Sequence, residues 1–186
     1  MAKDKDSDPR SIGYEILGLG LAALTLLLAL SLFTHHPADL SFSATESGRQ
    51  AVQNWTGRLG SYLSSFLFDN LGLASFWLVF ILGHLTFFTF KRRALRASPS
   101  WYALGYLLLI VGSAAMLSWD RGNFQVFGWN FLRGGVLGYL VFQKIKLYLN
   151  PPGAHILLVV MLLAGLILIS RVSLARLAER FQLWLY

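Results

Sequence analysis

The sequence contains no cysteine. That excludes a disulfide framework, thiolate zinc sites and thiol catalysis, and it leaves the redox compartment unmarked. Charge is the second scarcity. Asp, Glu, Lys and Arg together supply 13% of the residues, against about 25% in a soluble domain. A chain of 186 residues with so few charges cannot coat a water-facing surface. Catalytic motifs are missing too: no GxxxxGK[ST] phosphate cradle, no GxGxxG after a strand and no HExxH. No cofactor, metal site or catalytic residue is therefore expected.

What remains is apolar, aromatic and basic. Hydrophobic residues reach 55% and the mean hydropathy is +0.55. Phe, Trp and Tyr total 15%, which suits long stretches at a membrane interface. A membrane span needs about 20 apolar residues, with a range of roughly 17–25. Four stretches qualify, about 16–33, 74–90, 101–119 and 154–170. The first holds 11 Leu, Ile or Phe residues and no charge, worth roughly −3 to −6 kcal/mol of insertion free energy. It runs for 18 residues with no small-x-small cleavage site after it. It is thus a retained anchor rather than a signal peptide, whose core is about 7–15 residues. The second and fourth spans are short and are expected to stand close to upright.

Lys and Arg near the span ends set the orientation. Lys3, Lys5 and Arg10, then Lys91, Arg92, Arg93 and Arg96, then Arg171, Arg176 and Arg180 place ten cations on one side of a four-span frame. Arg49, Arg58, Arg121, Arg133, Lys144 and Lys146 place six on the other, over roughly twice the length. The bias predicts both termini in the cytoplasm. The expected fold is an all-α integral membrane domain, single over 1–186, with four transmembrane helices and outer segments 34–73 and 120–153.

Those outer segments carry structure of their own. Val52, Trp55, Leu59, Tyr62, Leu63, Phe66 and Leu67 recur at helical spacing, with Gln53, Asn54, Arg58, Ser61 and Ser65 between them. The pattern predicts an amphipathic helix lying on the outer leaflet or on another part of the protein. Gly134 to Leu149 is apolar at first and then carries Gln143, Lys144 and Lys146. Two lysines are costly in mid-bilayer, so a re-entrant or interfacial helix is favoured over a fifth span. Asn150-Pro151-Pro152-Gly153 breaks that helix before the last span. Beyond it, Leu174, Leu177, Phe181 and Trp184 share one face, as an extension of the last span or an interfacial helix. An apolar end at Tyr186 predicts a piece of a longer protein.

Polar candidates inside this frame are few. His35-His36 reads as an interfacial loop rather than a ligand pair, since adjacent side chains diverge on a helix. His84 and His155 lie in or beside spans, where a neutral imidazole making one interhelical hydrogen bond outweighs a proton path. The nearest carboxylates, Glu15 and Asp69, sit at opposite margins. Gly134 and Gly138 form GxxxG, and Gly18 with Ala22 forms small-xxx-small. Both spacings permit close helix packing and leave oligomerisation open. Asn54-Trp55-Thr56 matches a glycosylation acceptor by coincidence on a helical face.

After the first span come Leu30-Ser31-Leu32-Phe33 and Pro37-Ala38-Asp39-Leu40-Ser41-Phe42. Then follow Asn54, Gly57, Gly60 and Ser61, Leu67-Phe68-Asp69 and Gly72, and later Gly134-Gly135-Val136-Leu137-Gly138 and Asn150 to Gly153. In this order and spacing they resemble the membrane region of FtsK/SpoIIIE-type DNA translocases, over nearly the whole chain. Leu40 stands where the family has a second proline, which loosens that turn. The resemblance implies a bacterial inner-membrane protein at the division septum, anchoring a hexameric, ATP-driven motor that would follow Tyr186. Its partners would be the lipid bilayer, sister subunits and other division proteins, with DNA reached only through the motor. The expected role is a non-catalytic anchor and assembly module. Candidate contact residues are Asp39, Trp55, Asp69, Trp129 and Arg133. The alternative is a small transporter or channel subunit, which would need polar groups converging at mid-membrane.

Overall fold

The computed structural model describes residues 9–36, 39, 52–91, 99–120, 123–126 and 129–171. The elements in order are α1 (Pro9–Phe33), α2 (Gly57–Leu71), a 3-10 turn (Gly72–Ser75), α3 (Phe76–Phe90), α4 (Pro99–Leu117), β1 (Asn123–Val126), β2 (Trp129–Leu132) and α5 (Gly135–Ser170). Four helical stretches are long and apolar enough to cross a membrane: Ile12–Phe33, Gly57–Phe90, Pro99–Leu117 and Gly135–Ser170. The expected spans 16–33, 74–90 and 154–170 fall inside the first, second and fourth of these, and the expected 101–119 overlaps the third but runs two residues past Leu117.

Local chemistry sets the boundaries. Pro99 opens α4, where a missing N–H costs nothing. Gly72 follows α2 with φ 57° and ends it, as a glycine in the left-handed region does after many helices. Arg171 takes the same role after α5, with φ 57° and its N–H donated to the Ile167 carbonyl at 2.9 Å.

The helices group into two compact units. In the first, α1 and α3 pack antiparallel. Phe33 lies 5.1 Å from Phe76, ring centre to centre. The Thr25 and Thr86 hydroxyls lie 3.3 Å apart. Gly18 faces Phe90, whose ring stands 3.0 Å from where a Cβ would be. Both threonine hydroxyls also donate to carbonyls one turn back, Leu21 and Leu82. In hydrocarbon such self-bonding removes the cost of a bare hydroxyl.

The second unit is built on α4 and α5. α5 is two arms, because Asn150 sits at φ 56°, ψ 167°. Pro151 excludes a helical ψ from the residue before it, and positive φ with extended ψ is otherwise glycine territory. The arms fold back on each other. On a straight helix, residues 142 and 155 would be about 20 Å apart, yet the Phe142 and His155 rings are 5.7 Å apart. Phe142 is buried with Ala115, Ala154 and Leu158. The first arm has 15 residues before Asn150, about 22 Å of helix, short of the roughly 30 Å hydrocarbon core.

Small residues bring these helices together. Gly105 and Gly165 cross so closely that a Cβ on either would lie 2.8–3.1 Å from the other's carbonyl oxygen. Gly134 and Gly138 seat α5 against the Ala114 carbonyl of α4. The GxxxG spacing thus packs two helices of one chain.

The sequence reading assigned only helices to the outer segments. The structure places an antiparallel two-stranded ribbon in the second, with Asn123 opposite Leu132 and Val126 opposite Trp129. The pattern Phe-Gln-Val, then Trp-Asn-Phe, has the period of two that strands require.

Replacing Gly138 by Ala forces a Cβ into the Ala114 carbonyl and is expected to cost about 1–3 kcal/mol. Gly20 has open space around it, and Gly20→Ala is expected to cost nothing. Unfolding of both variants in mixed detergent micelles checks the contrast.

Candidate interaction surface

Helix α2 is inside-out by the standards of a soluble protein. Gly60, Ser61, Ser64 and Ser65 are buried, whereas Leu59, Leu63 and Phe66 are exposed. Trp55, just before the helix, is 79% exposed and Leu59 is 85% exposed. The helix here begins at Gly57, five residues after the expected pattern starts at Val52, and it turns its small polar face into the protein.

A knot of buried polar groups holds it there. Asn54, 3% exposed, is its centre. The Asn54 side-chain amide donates to the Ser31 carbonyl at the end of α1, at 2.9 Å. Its carbonyl oxygen accepts from the Thr56 N–H at 3.0 Å and the Thr56 hydroxyl at 2.7 Å. Its backbone carbonyl accepts from Gly57 at 2.8 Å, making the turn into α2. Ser31 returns the link by donating its hydroxyl to the Gly60 carbonyl at 2.7 Å. His35 Nδ1 and the Ser64 hydroxyl are 2.8 Å apart. Asp39, 5% exposed, closes the knot from the loop. Its two carboxylate oxygens accept the N–H groups of Gln53 and Asn54, each at 2.8 Å. These are charge-assisted bonds, stronger than neutral ones.

Beside the knot, α1, α2 and α3 enclose an open apolar groove of about 600 Å³. Leu24, Leu27 and Leu28 line one wall, Leu59 and Leu63 another, and Leu78 with Ile81 a third.

The residues singled out in the sequence land in different settings. Asp39 is inside the knot and Trp55 is on the open surface beside it. Asp69 is exposed near the end of α2. Trp129 lies in β2, opposite Val126. Arg133 follows β2, half-buried, and its carbonyl accepts the Leu73 N–H at 2.9 Å. Gly18 meets Phe90, Ala22 is half-buried on α1, and Gly134 and Gly138 meet α4. The structure brings Asp39 and Trp55 together through Asn54. His84 stacks edge-on to Phe88 at 4.6 Å. Among the described residues no group of three or more His, Asp or Glu gathers into a metal-binding arrangement. The sequence reading passed over Asn54, Ser31 and Ser64 as site residues. The signal was there as a serine row, Ser61, Ser64 and Ser65, at helical spacing.

Four apolar helices with hydroxyls bonded to their own backbones define a multi-pass helical membrane domain. The chain belongs to the FtsK/SpoIIIE family: the sequence model described as the 4TM region of DNA translocase FtsK/SpoIIIE matches residues 10–182. The DNA translocase FtsK of Shewanella oneidensis is 28% identical over 163 residues, covering 85% of this chain and 17% of its own length. That of Vibrio parahaemolyticus is 29% identical over 157 residues, covering 83% and 15%. That of Pseudomonas aeruginosa is 35% identical over 103 residues, covering 53% and 13%. The chain therefore spans less than a fifth of the length of these three relatives. No solved structure matches it.

Asn54→Ala removes the amide and strands the Ser31 carbonyl and the Thr56 N–H. A buried unsatisfied group costs about 1–3 kcal/mol, so the variant is expected to lose about that much stability. Proteolysis in the 52–66 stretch is expected to rise, with cleavage elsewhere unchanged. Limited proteolysis in detergent with mass mapping of the cuts checks both.

Proposed function

We propose that this chain is the membrane anchor and assembly region of a bacterial DNA translocase. Its spans tether a cytoplasmic motor at the division septum, both termini lie in the cytoplasm, and the chain itself does no chemistry. Membership of the 4TM family over residues 10–182 supports the anchor role. The bias of ten Lys and Arg residues against six supports the orientation. In that frame α2, the ribbon and the first arm of α5 belong to the outer side. ATP-driven pumping of DNA, a hexameric assembly and contacts with other division proteins are properties of the whole protein in this reading.

The observation that carries the assembly role is the outward apolar face of α2. Trp55, Leu59, Leu63 and Phe66 form a row held in place by a buried polar knot. Holding four large apolar side chains outward has an entropy cost, which a rigid base has already met before a partner arrives. The row is the surface on which a sister subunit or a division protein docks. The groove beside it offers that partner a continuous apolar bed.

Two experiments test the proposal. Trp55→Ser combined with Leu59→Ser changes only exposed side chains. It is expected to leave insertion and melting temperature unchanged and to cut septal recruitment of the intact protein several-fold, read by fluorescence microscopy. Unchanged recruitment removes the docking role. The absence of native cysteine makes single-cysteine topology mapping clean. Arg93→Cys and Arg180→Cys are expected to react with an impermeant maleimide only after the cytoplasmic face is opened, and Arg58→Cys without it. Labelling of Arg93→Cys and Arg180→Cys from opposite faces overturns the orientation.

A further inference from the structure

The three-sided groove between α1, α2 and α3 has a volume of about 600 Å³. Leu24, Leu27 and Leu28 recur at three- and four-residue spacing on α1, and Leu59, Leu63 and Leu67 at four-residue spacing on α2. Each set is one stripe of its helix, and α3 adds a third stripe around Ile81. The hydroxyls that line the groove, Ser31 and Thr56, have their protons committed elsewhere. Ser31 donates to the Gly60 carbonyl and Thr56 to the Asn54 side-chain oxygen, each at 2.7 Å. The Ser31–Gly60 bond also ties α1 to the start of α2, so the knot sets the spacing of those two walls. What the groove offers an occupant is carbon surface.

The walls belong to helical stretches long and apolar enough to cross a membrane, Ile12–Phe33 and Gly57–Phe90. Left dry, a space of this size forfeits dispersion contacts along every wall. Water in it would meet leucine where it needs polar partners. The occupant is therefore apolar, and the volume decides its shape. A helix is about 10–12 Å across and rises about 5.4 Å per turn, so the groove admits roughly one turn of one. At roughly 30 Å³ for a group the size of a water, it admits about 20 methylenes, which is one acyl chain in full. A helix from a second copy would leave most of its length unseated, whereas a lipid chain would be seated from end to end.

We propose that this groove holds an acyl chain of a bound phospholipid, whose headgroup lies at the end marked by Thr56. Trp55, the next residue back, is exposed there, and tryptophan is the usual occupant of the boundary between hydrocarbon and headgroups. The lipid chain braces α2 along its leucine stripe while the knot holds its start. Recognition is of the chain, so the charge of the headgroup plays no part. The inference rests on the protein being embedded in a bilayer. It needs no partner on α2, so unchanged septal recruitment of the Trp55 and Leu59 double variant leaves it standing. Where a partner does dock, it rests partly on that lipid.

The test purifies the intact protein in a steroid detergent, whose rigid rings are a poor mimic of a linear chain, and reads bound mass by native mass spectrometry. One phospholipid per chain is expected to stay on the native protein. Leu27→Trp combined with Leu78→Trp fills the groove and is expected to lose it. Leu163→Trp, at an exposed position on α5, is expected to keep it. On add-back, phosphatidylcholine and phosphatidylglycerol are expected to be held alike, and a short-chain phosphatidylcholine less well. Long-chain lipid added to delipidated native protein is expected to slow amide exchange across α2 several-fold and to leave α4 unchanged. That measurement decides the matter even where the double variant does not fold. Native protein without bound lipid, equal retention by the native protein and the folded double variant, retention of one headgroup only, or α2 exchange indifferent to lipid would each overturn the proposal. So would a lipid-free dimer that the double variant splits, which would give the groove to a second copy.

Discussion

A polar group buried away from water has only the protein to bond to, and that constraint organises everything built around the buried Asn54. Its amide meets Ser31, its side-chain oxygen meets Thr56 and its backbone carbonyl meets Gly57. No one of these bonds is worth much net of water in a soluble protein. Where water is scarce, the comparison is with a bare group, and the knot becomes the cheapest way to bring a loop and a second helix onto the end of a span. Asp39 reinforces it with both carboxylate oxygens. Once the small polar face of α2 is committed inward, geometry leaves its large apolar residues nowhere to go but out. The exposed apolar row of Trp55, Leu59, Leu63 and Phe66 is therefore a consequence of how the polar groups are satisfied.

The same constraint explains the glycines. Apolar side chains gain nothing by leaving lipid for each other, so helices associate through close packing and short-range bonds. In the α4–α5 unit that closeness comes from Gly105 against Gly165 and from Gly134 and Gly138 against Ala114. The fold-back at Asn150 then lets Phe142 fill the space beside Ala154 and Leu158. A large ring sits where small residues have made room, and glycine pairs bring the backbones together elsewhere. This alternation does in a membrane what a graded hydrophobic core does in water.

Much of the fold was legible because hydropathy reports it directly. The expected spans 16–33, 74–90, 101–119 and 154–170 overlie α1, α3, α4 and the second arm of α5. The break at Asn150 was legible from two adjacent prolines. What escaped is what hydropathy does not measure. It registers that Leu59 is apolar and Ser64 polar, but in a bilayer neither fact says which faces inward. Reading the serines as the solvent side would have been right in water and is reversed here. The β ribbon escaped because four-residue strands carry too little periodicity to compete with a helical expectation. Of the candidate contacts, Asp39 lies inside the knot and Trp55 beside it, while its centre, Asn54, stood in plain view as the first residue of a chance glycosylation sequon. The Gly105–Gly165 crossing involves residues far apart in sequence, and a single sequence holds no record of such a pairing.

The arrangement of hydroxyls bears on whether solutes cross this domain. A conduit needs polar groups that face a shared path and are available to a moving solute. Thr25, Thr86 and Ser113 each donate to a carbonyl on their own helix, at 2.7, 2.8 and 2.6 Å. Ser118 does the same to Ala114. Groups spent in this way lower the cost of keeping a helix in lipid and offer a passing ion little. At one end of α1, by contrast, Ser31, Asn54 and Ser64 link separate elements and fix α2. In the first unit this bonding is concentrated where the exposed apolar row of α2 is held in place.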